Sequence, residues 1–227
     1  NAVHVYYYQF RRRGEKNDVC KPLDGINAAD FPQVREKAVA LLRLKELTRL
    51  RVKDLDFDNG LLVVRDGKGE KDRTSLLPTS LHEGLREHLA EVQKIHQADL
   101  DQGLGEVYMP NALSRKYPNA GKEWCWQYVF PVTKLATDPR SGKIRRHHID
   151  SSTIQKVVKA AVRSAGIPKP ASVHTLRHSF ATHLLMQGVN IRQVQDYMGH
   201  ANLETTMVYT HVARELMPHA DSPLDRL

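Results

Sequence analysis

The sequence predicts an α+β domain, mainly helical, with one small three-stranded antiparallel sheet. Three observations carry that expectation. Residues 55–78 hold apolar positions around Asn59-Gly60 and then a second turn, "DGKGEKDR" (66–73), which together read as a three-stranded meander. From Leu81 the apolar residues Leu85, Leu89, Val92 and Ile95 recur in helical steps of four and three. Beyond residue 150 three successive candidate helices each meet a glycine stop, at Gly166, Gly188 and Gly199.

Taken in order, "NAVHVYYYQF" reads as the end of a helix already under way, and "RRRGEKND" (11–18) as a charged linker. Its three arginines are either a solvated run or a phosphate-contacting strap. A helix is expected over 34–47. The meander follows, with Leu55, Phe57, Leu61 and Val63 alternating around its first turn. Residues 101–146 lack a period and carry Trp124, Trp126 and prolines at 110, 118, 131 and 139. A loop-rich stretch of that length inside one domain is usually functional. Ser151 to Thr153 can cap a helix reaching Ala165. Shorter helices are expected from Thr175 to Gly188, over Ile191–Met198, and from Asn202 past Tyr209. Leu176, Phe180, Leu184, Val194 and Met207 can pack the last three together.

The chain has 227 residues, a formal charge of +8 and a pI near 9.5. That balance favours a polyanionic partner, nucleic acid ahead of a membrane surface. Cys20 and Cys125 have no CxxC spacing and read as free thiols, which excludes a cysteine zinc site and a disulfide framework. No apolar run approaches the roughly 20 residues of a membrane span, and no signal peptide opens the chain. The expected setting is cytoplasmic, with no membrane partner.

"HTLRHSFATHLL" (174–185) then asks for an explanation. His174 and Arg177 share one helix face. His200 follows Gly199 in the turn before the last helix, and Tyr209 lies two turns into that helix. Taken singly, each has a bland reading: a helix cap, a solvated face, a half-buried aromatic. His174 and His178, at i and i+4, could hold a metal, but third and fourth ligands are lacking.

The order and spacing His174-x-x-Arg177, then Gly199-His200, then Tyr209 resembles the tyrosine recombinase (phage integrase) family. "RLKELTRLRVKDLDF" resembles the segment holding the family's first catalytic arginine, here Arg43, and "DGKGEKDR" the turn holding its lysine, here Lys68. The resemblance runs from about Phe31 to the end. It implies a catalytic domain at 34–217, a remnant of an N-terminal core-binding domain and linker at 1–33, and a tail at 218–227. Within the family, "ALSRKYPNAGKEWCWQYVFP" and "DPRSGKIRRHH" resemble the insertion of integron integrases, at about 101–146. By motif position this makes Trp126, Pro139, His147 and His148 candidates for contact with folded single-stranded cassette DNA, where stacking contributes roughly 1–3 kcal/mol per base; for the tryptophans, core packing is the alternative.

The resemblance implies a site-specific DNA recombinase that cuts and rejoins DNA through a 3′-phosphotyrosyl intermediate, integrating or excising gene cassettes without ATP, metal or other cofactor. Tyr209 is the implied nucleophile, Arg43 and Arg177 clamp the phosphate, His174 is a base or orienting group, His200 donates to phosphate, and Lys68 protonates the leaving 5′-oxygen. Implied partners are duplex DNA and folded cassette sites, bound by a homotetramer whose subunits are monomers when free; residues after Tyr209 pack on a neighbour. A bacterial, nucleoid-associated setting follows. Glu46 is either an orienting group or a surface residue. Arg65 is a solvated strand residue ahead of a phosphate contact, and His178 and His183 are structural.

The chain departs from the family in one place. A glycine turn normally precedes the first arginine, and here "AVALL" joins "RLKEL" directly. Either the turn is deleted, which would damage the site, or the chain is interrupted there, which the intact flanks favour; the same holds between "NAADFPQ" and "VREKAV". If the N-terminal clamp is absent, DNA binding should be weak and strongly salt-dependent. Other readings are a DNA-binding relative without catalysis, a general phage- or Xer-type recombinase, and a type IB topoisomerase-like relaxer.

Overall fold

Glu46 decides where the first helix begins. Its Oε2 accepts the backbone N–H of Arg43 at 2.9 Å, and Arg43 takes an extended backbone (φ −69°, ψ 149°). Helix α1 therefore spans Leu44–Arg49, with Ala40 and Leu41 in a turn, so within the described part of the predicted 34–47 helix only Leu44–Leu47 are helical. The computed structural model describes residues 5–6, 22–23, 40–65, 72–164 and 171–216. The arginine run, residues 34–39 of the predicted 34–47 helix, Lys68 and residues 217–227 lie outside these. Near the start, Val5–Tyr6 (β1) pairs antiparallel with Pro22–Leu23 (β2), where the sequence predicts the end of a helix. A β-branched and an aromatic residue suit that pleated backbone.

The predicted meander is present as β3 (Leu55–Asp56), β4 (Leu61–Val64) and β5 (Arg73–Leu76), all antiparallel in that order. Its core face differs from the prediction. Leu62 and Val64 are buried, whereas Leu61 and Val63 are half-buried. The first turn is a loop over residues 57–60 in which the Asp56 carboxylate holds both the backbone and side-chain nitrogens of Asn59. Leu55 consequently sits opposite Leu62, and the alternation is set by register, not by the turn dipeptide.

Helix α2 (His82–Asp101) buries Leu85, Val92, His96 and Asp99, while Ile95 stays 38% exposed. The second half of its inner face is thus polar, and the 101–146 segment docks there. His96 Nε2 bonds the Lys122 carbonyl at 3.0 Å, and Asp99 takes a bidentate pair from Arg146 at 2.6 and 2.7 Å. The segment contains α3 (Asn111–Lys116), two 3-10 turns (Ala120–Lys122 and Trp124–Trp126) and the hairpin β6 (Ala136–Thr137)–β7 (Ile144–Arg145). Its Val129 and Phe130 complete the main core beside Leu42, Leu47, Leu62 and Leu85.

Helix α4 spans Ser151–Ser164, and Asp150 rather than Ser151–Thr153 supplies the cap: its Oδ1 accepts the Ser152 N–H at 2.7 Å. Helices α5 (Val173–Met186), α6 (Ile191–Met198) and α7 (Leu203–Leu216) follow as predicted. They share a second core of Ala181, Leu184, Val194, Met198 and Tyr209. Met207, expected in that core, is 45% exposed, because α7 turns Tyr209 inward instead. Among the described residues no helix is long and apolar enough to cross a membrane.

Candidate active site

Two chain reversals converge on Arg177. It lies one turn into α5, is 5% exposed, and donates through Nη1 to the Leu41 carbonyl at 2.9 Å and through Nη2 to the Met198 carbonyl. The first carbonyl belongs to the turn before α1 and the second to the end of α6. Arg43, at the start of α1, reaches the same place from the other side: its Nη2 donates to the Gly199 carbonyl at 2.8 Å. Gly199 ends α6 in the left-handed region (φ 60°, ψ 41°), where glycine carries no Cβ penalty. The chain thus delivers Arg43 beside Arg177 through a turn without glycine, despite the departure noted in the sequence.

Burial pushes the Arg177 pKa down to about 10, with the Glu46 carboxylate opposing the shift, so the guanidinium remains charged at neutral pH. Glu46 is no surface residue. Its side chain is 6% exposed and pairs with Arg73 Nη2 at 2.6 Å. Arg73 also donates through Nη1 to the Tyr197 carbonyl at 2.8 Å, which fastens β5 to the end of α6.

Tyr209 is 4% exposed, and its hydroxyl lies 2.6 Å from His178 Nδ1. Its ring stacks on His200 with centroids 6.0 Å apart. Burial raises the Tyr209 pKa, and Arg177 opposes that rise. His200 is pushed down to about 4, first by burial and then by Arg177 and Arg43. Its Nδ1 meets the hydroxyl of the fully buried Thr206 at 2.9 Å. The His178 pKa is lowered by burial, His174 and Arg177. His178 was expected to be structural; it instead contacts the hydroxyl that the sequence singles out. His183 caps back onto the Ser179 carbonyl at 2.7 Å, in keeping with a structural role.

Arg43, Glu46, Arg177, His178, His200 and Tyr209 line an open cleft of about 720 Å³ that also holds Lys45, Arg49, Arg65 and His174. Among the described residues, five that line it are Lys or Arg (43, 45, 49, 65 and 177), against one carboxylate, Glu46. Such a lining suits an anion. His174 is exposed at the cleft, with its ring centroid 6.5 Å from that of His178. Among the described residues, no three His, Cys, Asp or Glu side chains form a group that could hold a metal ion. Arg65 is paired with Asp54 at 2.8 Å and still lines the cleft. Lys68 lies outside the described residues, between β4 and β5 in the sequence.

The four insertion candidates differ in exposure and in partners. Trp126 is half-buried under Lys53, whose Nζ stands 3.0 Å from the ring centroid. Pro139 is exposed between β6 and β7. His147 is half-buried, and its carbonyl accepts the Val132 N–H at 2.8 Å. His148 packs edge-on against Tyr128 and bonds the Ile149 carbonyl at 2.8 Å. The neighbouring Arg145 and Arg146 are spent on Asp138, Glu106 and Asp99.

Sequence reasoning missed His178, Arg73 and Thr206. Arg73 closes the "DGKGEKDR" turn and His178 follows Arg177 directly, so both stood within quoted motifs. Nothing in a linear pattern says which groups they would touch.

The fold and the cleft define a mainly helical domain that brings Arg43, Arg177, three histidines and a buried tyrosine to a basic cleft whose lining suits an anion. The chain belongs to the phage integrase family, whose model matches residues 38–215. An integrase/recombinase of Escherichia coli is 52% identical over 186 residues, covering 82% of this chain and 55% of that protein. Tyrosine recombinase XerA of Pyrococcus furiosus is 31% identical over 194 residues, covering 83% and 54%. The chain spans about half the length of these curated relatives. Among solved structures, XerA recombinase has the same fold (TM-score 0.54, 23% identity, 90% of this chain and 68% of that one). XerH site-specific recombinase bound to difH substrate is similar too (TM-score 0.52, 25% identity, 81% and 43%).

Proposed function

We propose that the chain carries the catalytic machinery of a site-specific DNA recombinase that cuts one strand by attack of Tyr209 on a backbone phosphate and holds the DNA as a 3′-phosphotyrosyl ester. The observation that carries this reading is the Tyr209 hydroxyl set beside His178 and His200, in a cleft lined by Arg43 and Arg177.

Phosphoryl transfer asks for positioning and charge neutralisation. Arg43 and Arg177 each keep N–H donors beyond those given to carbonyls, and a guanidinium can present paired donors to phosphate oxygens. Donors aimed at developing negative charge contribute about 3–4 kcal/mol each. His174, exposed at the cleft, adds a further donor or orients the phosphate. With Thr206 donating to Nδ1, His200 carries its proton on Nε2 and can donate it to a phosphate oxygen. Lys68 protonates the departing 5′-oxygen. The ester conserves the energy of the broken bond, so rejoining proceeds without ATP or a metal.

Trapping on a nicked suicide duplex tests the reading. The wild-type chain should form a covalent adduct, and Tyr209→Phe should form none while binding the same DNA. An adduct with Tyr209→Phe would remove Tyr209 as nucleophile; binding without any adduct from wild type would leave a non-catalytic DNA-binding relative. We further propose that the substrates are gene cassettes, as in integron integrases, with Trp126, Pro139, His147 and His148 facing extrahelical bases of folded cassette sites. The support is the resemblance of residues 113–148. A general phage- or Xer-type reaction on duplex DNA fits the similarity to Xer recombinases equally. Recombination of a folded single-stranded hairpin, compared with the same sequence as duplex, separates the two: preference for the hairpin supports cassettes, and equal activity removes them. On this reading the enzyme acts as a homotetramer on paired sites, in the bacterial cytoplasm where the chromosome lies.

A further inference from the structure

We infer that His178, one residue after the buried arginine, is the group that takes the proton of Tyr209 as that tyrosine attacks phosphate. The inference rests on the recombinase reading above and deepens it.

The geometry is direct. His178 Nδ1 and the Tyr209 hydroxyl are 2.6 Å apart, well inside the reach required of a general base. The rings are tilted by 45° with centroids 5.4 Å apart, so the contact is edge-on through the nitrogen rather than a face-to-face stack. His200, the other imidazole beside Tyr209, meets its ring by stacking and commits its own Nδ1 to Thr206.

The electrostatics agree. Among the described residues, the charged and titratable groups facing His178 include His174 and Arg177 on its own helix and His200 and Tyr209 from the α6–α7 side, while Arg43 lines the same cleft from the start of α1. Those causing its shift are burial, His174 and Arg177, and all three disfavour the imidazolium. A neutral ring is an acceptor ready at neutral pH. Tyr209, raised by burial, does not ionise beforehand, so the proton leaves as the new bond forms. In that step the Tyr209 oxygen bonds to phosphorus while its proton passes to His178 Nδ1. The bond from phosphorus to the 5′-oxygen breaks, and that oxygen takes a proton from Lys68. Each proton has a separate donor and acceptor, and rejoining runs the same transfers in reverse.

The test is single-turnover cleavage of a suicide duplex by the full chain. His178→Asn keeps a hydrogen-bonding atom near the Nδ1 position but has no basicity. It should slow adduct formation by about 10²–10⁴-fold, with thermal unfolding and DNA affinity unchanged. His178→Gln, which fills the far end of the ring instead, is the second variant should the first fail to fold, with the same loss expected. A 5′-bridging phosphorothiolate substrate, whose leaving group needs no proton, should rescue Lys68→Ala and leave the His178 variants slow. Cleavage by His178→Asn within threefold of wild type, or its rescue by the thiolate, would overturn the assignment while the recombinase reading stands. No adduct from wild type would sink both.

Discussion

Arg73 offers the sharpest test of how the cleft is held. Arg73→Met keeps the stem and removes the guanidinium that joins Glu46 to the Tyr197 carbonyl. The Arg73 and Glu46 side chains are 13% and 6% exposed, so this is a buried pair. Removing one partner of such a pair costs about 3–5 kcal/mol, because the remaining charge stays desolvated. Here Glu46 keeps the Arg43 backbone N–H, and the Arg43 guanidinium remains 4.0 Å away, which places the loss near the lower bound, about 3 kcal/mol. Glu46 Oε1 already lacks a hydrogen-bond partner, so no second bond takes up the difference. For a domain of this size, about 3 kcal/mol corresponds to roughly 6–12 °C in Tm. Urea unfolding of wild type, Arg73→Met, Glu46→Gln and the double variant completes the cycle. The double variant should be more stable than Arg73→Met alone, since the stranded charge is gone. A single-variant loss below about 0.5 kcal/mol, or additive losses in the cycle, would refute the view that this pair anchors the site.

Three further outcomes follow from the same geometry. Gly199→Ala should cost about 1–2 kcal/mol from its left-handed backbone alone, and more because the added Cβ would overlap the Arg73 side chain; measured stability equal to wild type would contradict the clamp. His200 holds its pKa near 4 in the folded chain and near 6.5 when unfolded, so the unfolded state binds more protons between those values. Its contribution is full above about pH 6.5 and is lost as pH falls toward 4; His200→Asn should show a shallower acid decline in urea midpoints, and parallel curves would reject the shift. Arg43→Ala should weaken DNA binding and lower the slope of log affinity against log salt by about one, read by fluorescence anisotropy from 50 to 200 mM; an unchanged slope would mean Arg43 meets no phosphate.

The legible part of this protein was its order of elements and its chemical roll. Glycine stops, helical periods and the turn-bearing meander are local signals, and Arg43, His174, Arg177, His200 and Tyr209 do line one cleft. What the sequence misplaced depends on partners distant in the chain. Strand register set Leu62 and Val64 inward because Leu55 pairs with Leu62, a fact no dipeptide encodes. Met207 lost its place in the core to Tyr209 through the rotation of one helix. His178 reads as structural in the sequence because its contact is with a hydroxyl 31 positions away, which no local pattern shows.

The backbone itself explains why the arginines can be positioned without a glycine turn before Arg43. Arg177 is held by carbonyls from Leu41 and Met198, and Arg43 by the carbonyl of Gly199. These oxygens belong to the ends of segments, where main-chain acceptors have no helical partner and must find donors elsewhere. A guanidinium presents several donors in a rigid plane, so it can satisfy such carbonyls on one edge and keep another edge for an anion. Burial then favours two adjacent cations only while an opposing charge is near, and among its described lining residues the cleft has one carboxylate to offer, Glu46, which is already shared with Arg73. Under the proposed function, an arriving phosphate supplies the further negative charge. Binding and ordering of the site are then coupled: the arginines proposed to grip DNA also tie the turn before α1 to the end of α6, and through the His200 turn to the helix that carries Tyr209.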